Sequence, residues 1–190
     1  MEHDWRSAAD PRLPSSEDRQ GERIPMSWEE YVELGEFRGE YIDGELVIMP
    51  WPTLPHQQVM MSLVILIRQA LPPGEHAIQH WGWKPADDEF IPDVMVFETL
   101  VDEERLTDVP YLVVEILSSD LARDVLRKFA KYASVGLERL WMVDLEGPVI
   151  TEYRLDGATY REVGRHGPGI VVDLDIGPTT ITVDPANLLN

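Results

Sequence analysis

The run Tyr111-Leu112-Val113-Val114-Glu115-Ile116-Leu117 is apolar throughout except for one glutamate. Near-continuous apolar runs of this length belong to strands covered on both faces, where an ionised carboxylate without a partner is strongly disfavoured. Glu115 therefore needs a metal ion, a Lys or Arg cation, or a proton beside it. Two segments supply the context. Asp93 lies in Ile91-Pro92-Asp93-Val94-Met95-Val96-Phe97, and Lys128 lies in the basic segment that follows Glu115.

At 190 residues and 44% hydrophobic content, the chain suits one well-buried domain better than two. It has no apolar run of membrane-spanning length and no basic-then-apolar leader, so it reads as a soluble, cytoplasmic protein with no membrane partner. Cysteine is absent. Disulfides, thiolate nucleophiles and cysteine-bound zinc are thereby excluded, and any metal must be held by oxygen or imidazole, a donor set that favours magnesium, manganese or calcium. With 35 acidic against 16 basic residues the formal net charge is −19, which argues against a protein that coats nucleic acid electrostatically. A nucleic-acid enzyme remains compatible, because binding depends on the local patch and on any bound metal.

Residues 1–25 are polar, proline-containing and without apolar period, and are expected to form a flexible extension ahead of a domain spanning 26–190. Ser27 is placed to cap a short helix with Glu30 at its third position, and Asp43-Gly44 between two apolar segments signals a two-residue hairpin. Over 55–71, Val59, Leu63, Leu66 and Ala70 recur at helical spacing, and Pro72-Pro73-Gly74 ends the helix. Extended segments are expected near 76–84, 91–97 and 111–117, followed by a basic amphipathic helix at 121–135 stopped by Gly136 and a buried strand at 140–143. A hairpin around Asp156-Gly157 and a last strand near 170–172 complete a mixed α/β pattern.

Metal-assisted phosphodiester hydrolysis needs carboxylates converging from rigid elements. Asp93 and Glu115 meet that need if their strands are neighbours; alternatively Asp93 is a strand-start or turn residue and Glu115 belongs to a structural ion pair with one of the arginines. Lys128 either belongs to a solvated helix face, paired with Asp124, or reaches over the sheet end to stabilise a transition state. Arg127 and Lys131 flank it and are candidates for substrate contact. Glu40, which opens the first hairpin, is a possible third carboxylate or an exposed hairpin residue. His56, just inside a helix start, suits phosphate binding or proton transfer, or else a cap or the surface. His76, His80 and His166 show no metal spacing, and no Gly-rich phosphate loop, zinc cluster or serine nucleophile elbow is visible.

In order, Glu40-Tyr41-Ile42-Asp43-Gly44-Glu45, His56, Pro92-Asp93, Val114-Glu115-Ile116-Leu117-Ser118, Lys128, Tyr132 and Leu140-Trp141-Met142-Val143-Asp144 resemble the Uma-two family of putative restriction endonucleases. The resemblance runs along residues 26–185. It implies the restriction-endonuclease-like PD-(D/E)xK fold, a central mixed sheet flanked by helices. It also implies that Asp93 and Glu115, with Glu40, bind Mg²⁺ or Mn²⁺. Lys128 would then be the catalytic lysine displaced onto the following helix, since Leu117 stands where the parent motif has lysine. Ser118-Ser119-Asp120-Leu121 departs from the family's usual stretch and is about one residue shorter. The expectation is a metal-dependent DNA endonuclease, with a homodimer suited to cutting both strands; the alternatives are a noncatalytic binding or scaffold protein and a hydrolase of small phosphate esters.

Overall fold

The computed structural model describes residues 21–35, 39–98, 104–117 and 122–189, those at 122–126 by their backbone only. The first 20 residues of the expected extension, the Ser118-Ser119-Asp120-Leu121 stretch and the Asp124 side chain lie outside the described residues. Backbone contacts divide the chain into two compact units: Met1–Trp51 with Asp87–Phe90, and Pro52–Ala86 with Ile91–Asn190.

In the first unit, β1 (Arg23–Pro25), α1 (Trp28–Glu33), β2 (Gly39–Ile42) and β3 (Glu45–Ile48) build a three-stranded sheet, order β1-β3-β2, with one short helix. The expected capping box is present: the Ser27 hydroxyl accepts from the Glu30 amide and the Glu30 carboxylate accepts from the Ser27 amide. Asp43 and Gly44 both adopt positive φ, 54° and 78°, as a two-residue hairpin turn of the primed kind requires. Regular structure begins ahead of Ser27, because Arg23–Pro25 pairs with Glu45–Val47 on the free side of that hairpin. Trp28, Tyr31 and Tyr41 pack in tilted and edge-on pairs at centroid distances of 5.3–5.5 Å and join α1 to the sheet. Tyr41 and Glu89 exchange backbone hydrogen bonds, so residues 87–90 belong to this unit.

The second unit contains α2 (Leu54–Ala70), β4 (Glu75–Gln79), β5 (Val94–Glu98), β6 (Leu112–Leu117), α3 (Ala122–Ser134), β7 (Arg139–Asp144), β8 (Val149–Asp156), β9 (Thr159–His166), β10 (Val172–Asp175), β11 (Thr180–Val183) and a closing 3-10 turn, Pro185–Leu189. A six-stranded sheet has the order β4-β5-β6-β7-β8-β9, with β6 and β7 parallel and the other pairs antiparallel. This mixed sheet with helices confirms the expected α/β class. The parallel pair needs a crossover, and α3 supplies it.

Side-chain alternation assigns the two faces of β6. Leu112, Val114 and Ile116 join Val94, Val96, Trp141 and Val143 against Val59, Met60, Leu63 and Ile67 of α2, with Leu174, Ile181 and Val183 closing the same core. Val113 and Glu115 lie on the opposite face, which explains why the whole strand is apolar except at one position. Phe129 packs edge-on against Tyr153 and Tyr160 at 4.9 and 5.3 Å, holding α3 over β8 and β9.

Two expectations need correction. The segment expected to be extended at 76–84 is strand only to Gln79, because His80 turns into the left-handed region (φ 48°) and Trp83 bridges in parallel to Leu106 instead. The strand expected at 170–172 runs from Val172 to Asp175 and has a partner, β11, that the sequence reading missed. Among the described residues, no helix is long and apolar enough to cross a membrane.

The turn between β10 and β11 depends on Gly177, whose φ is 104° and whose hypothetical Cβ would stand 2.5 Å from Tyr111 Cβ. Gly177→Ala should therefore destabilise the protein by about 2–3 kcal/mol through combined backbone strain and overlap. Gly167→Ala, where the added carbon meets nothing within 4 Å, should stay within about 0.5 kcal/mol. Urea unfolding of the two variants measures the difference.

Candidate functional site

The site assembles at one end of β5 and β6. Their register pairs Val94 with Val114, which carries Asp93 to a position across from Glu115. Pro92 lacks an amide hydrogen and tolerates the place just before the strand, so Asp93 stands at the ladder's end with its side chain free to turn toward the neighbouring backbone. It does so: Asp93 Oδ2 accepts the Ile116 amide at 2.7 Å, the amide of the peptide that begins at Glu115.

The other carboxylate oxygen serves two histidines. His56 Nε2 and His80 Nε2 each lie 3.2 Å from Asp93 Oδ1, and the two rings stack at 6.2 Å with 23° between their planes. An ionised carboxylate only accepts hydrogen bonds, so both Nε2 atoms carry protons here. Thr53 caps α2 by accepting from the His56 amide, placing the His56 ring in the first turn. His56 Nδ1 is buried and has no hydrogen-bond partner among the described residues. Burial by itself would raise the Asp93 carboxyl. The hydrogen bonds from His56 and His80, the His56 charge and the Ile116 amide outweigh it and hold the group well below the usual carboxylate range.

Glu115 meets α3. Tyr132 OH donates to Glu115 Oε1 at 2.6 Å, and Lys128 Nζ stands 3.3 Å from Oε1 and 3.5 Å from Oε2. Lys128 and Tyr132 are four residues apart, one turn along the same helical face. Tyr132 is fully buried, with its ring 5.2 Å from that of Trp83. The partner that an apolar strand demanded for its glutamate is thus a cation reinforced by a phenol.

Asp93, Glu115 and Lys128 therefore lie in one region, together with His56. Arg127 and Lys131 are half-buried on α3 beside Lys128. Glu40 is buried in β2, within the first unit. Two contributors escaped the sequence reading. His80 shows no metal spacing, and the strand end that aims it follows from a left-handed turn inside the segment expected to be extended at 76–84. Tyr132 stood in the motif without a role, although a tyrosine one helical turn after a lysine can share that lysine's target.

The donor chemistry suits a hard cation, since the carboxylates are oxygen donors and the Asp93 group ionises readily. Of about four acceptor positions on the Asp93 carboxylate, described residues fill three, and the one they leave is on Oδ2. Among the described residues, no three His, Asp or Glu side chains surround a common point. The two imidazoles bind a carboxylate oxygen; they do not face a shared centre with it.

A crystal structure of a protein described as a putative nuclease belonging to DUF820, from Anabaena variabilis ATCC 29413, matches the chain with a TM-score of 0.71 and 21% identity, over 87% of this chain and 98% of that one. At that identity the likeness speaks for the fold. No curated protein matches the chain. The profile of the Uma2 family, described as "Putative restriction endonuclease", matches residues 28–184, most of the chain. With a match that spans residues 28–184, the chain belongs to the Uma2 family of putative restriction endonucleases.

Proposed function

We propose that this protein is a metal-dependent endonuclease that hydrolyses DNA phosphodiester bonds, with Asp93 and Glu115 holding Mg²⁺ or Mn²⁺ and Lys128 stabilising the reacting phosphate or water. The observation that carries the reading is the convergence of three motif residues from separate elements. Asp93 bonds the peptide that follows Glu115, and Lys128 bonds Glu115 itself. A bound cation would supply Lewis acidity and a more acidic water. Asp93 presents an ionised carboxylate whose remaining acceptor position is on Oδ2. Lys128 brings a fixed positive charge beside Glu115, where negative charge develops on a phosphate during hydrolysis. His56 Nδ1, buried and without a hydrogen-bond partner among the described residues, can accept from a water or, when the ring carries both protons, donate to a phosphate oxygen. Glu40 enters this reading through the family motif alone.

The net charge of −19 opposes a polyanionic substrate, but the charge is uneven along the chain. Residues 122–166 carry eight of the 16 basic and seven of the 35 acidic residues. This is the segment that contains α3, with Arg127 and Lys131, and the favoured route for a DNA backbone runs there. The overall charge supports a second reading, in which the same groups hydrolyse a smaller phosphate ester.

Purified protein with Mg²⁺ or Mn²⁺ should nick plasmid DNA, and EDTA should abolish the nicking. Glu115→Gln and Lys128→Met should each lower the rate by about 100-fold or more. Equal cleavage by these variants and the wild type would reject the assignment, and turnover of a small phosphodiester without plasmid nicking would favour the second reading.

The Asp93 shift also sets a pH dependence. A carboxyl whose folded pKa is depressed stabilises the fold above its unfolded value of about 4, and that stability disappears as pH falls through the folded value. Asp93→Asn should thus unfold more easily than wild type at pH 7 and pH 5, on the order of 3 kcal/mol, and the gap should narrow only below about pH 4. Denaturant titrations across pH 3–7 measure this, and a gap that closes between pH 7 and pH 5 contradicts it.

A further inference from the structure

We infer that His80 is a positioning residue of the site: with His56 it clamps Asp93 Oδ1 and so fixes the carboxylate with its open acceptor position on Oδ2. This inference rests on the reading of Asp93 as a cation ligand. Three independent features of His80 converge on it. Its Nε2 lies 3.2 Å from Asp93 Oδ1. Its backbone amide donates to the carbonyl of Pro92 at 3.2 Å, fastening residue 80 to the residue just before Asp93. Its φ of 48° lies in the left-handed region, which residues with a Cβ seldom adopt and which recurs where side-chain aim matters. The departure from strand geometry thus occurs at the residue whose ring engages the aspartate.

Each hydrogen bond that a carboxylate accepts from a fixed donor narrows the range of its terminal torsion, and two donors from different elements on one oxygen fix that oxygen more tightly than one. Ile116 holds Oδ2, and the stacked pair of imidazoles holds Oδ1 from the ends of two different elements, α2 and β4. Losing His80 leaves Oδ1 with His56 alone. Partners that orient a ligating carboxylate typically change metal affinity by 10–100-fold when removed.

The test is calorimetric titration of Mn²⁺ into wild type and variants, with melting temperature followed in parallel. His80→Gly removes the ring and suits the left-handed backbone, and His80→Gln keeps an N–H donor near the Nε2 position. The expected result is Mn²⁺ affinity roughly 10-fold weaker in His80→Gly, largely restored in His80→Gln, and lost in Asp93→Asn. Should the glycine variant not fold, His80→Asn takes its place, since its side chain tolerates the backbone but ends short of Oδ1. Unchanged or tighter binding in these variants, with Asp93→Asn still defective, overturns the role of His80 alone. A wild type that binds no Mn²⁺ overturns the cation reading, and this inference with it.

Discussion

The contact on which the second unit depends is the one between Glu115 and the helix that follows it. A carboxylate in the middle of a six-stranded sheet, 8% exposed, is tolerable only with charge and hydrogen bonds brought to it. Lys128 and Tyr132 bring both from one turn of α3. The packing of α3 is therefore specified by polar chemistry at its centre and by Phe129 against Tyr153 and Tyr160 at its flank. Since α3 is also the crossover that makes β6 and β7 parallel, the same contact ties sheet order to site geometry. Breaking a buried pair of this kind by removing one member typically costs about 3–5 kcal/mol, so fold and site cannot vary independently here.

Much of this organisation was legible because the signals were local. Asp43-Gly44 demanded a turn, the Ser27 and Glu30 spacing demanded a cap, and the apolar periods of α2 and the β6 run identified buried elements. The demand that Glu115 find a partner was correct as physics, and Lys128 answered it. What escaped were features whose cause lies far along the chain. Arg23–Pro25 becomes a strand because β3 offers it a free edge, and nothing in three residues announces that. Thr180-Ile181-Thr182-Val183, bounded by Pro178 and Pro185, carries a strand signal in its β-branched residues, but at four residues it is short enough to pair only because β10 lies beside it. His80 was opaque for a different reason: its importance depends on a left-handed backbone and on a partner thirteen residues away across a strand pair.

The two acids of the motif are held in opposite ways, and the difference bears on what each can do. Asp93 is bonded by two imidazoles and a backbone amide, groups set by the sheet end, the start of α2 and the end of β4. Glu115 is bonded by a lysine and a phenol from a single helix. Asp93 is thus held by donors from three elements, whereas Lys128 and Tyr132 reach Glu115 from α3 alone. A displacement of α3 would change the charge around Glu115 while leaving Asp93 in place.

This asymmetry also places the substrate problem in physical terms. The stretch from α3 through β9 is one in which acidic and basic residues nearly balance in a chain of net charge −19. Under the proposed function, the helix that supplies the counter-charge to Glu115 would also lessen the repulsion that a phosphate meets. Arg127 and Lys131 lie to either side of Lys128 in sequence, so a phosphate held by them would arrive beside a cation already committed to the buried acid. Under the proposed function, Lys128 would then be shared between Glu115 and the incoming charge. Each gain in phosphate contact would weaken its hold on Glu115, while the Tyr132 hydroxyl would continue to donate to that carboxylate.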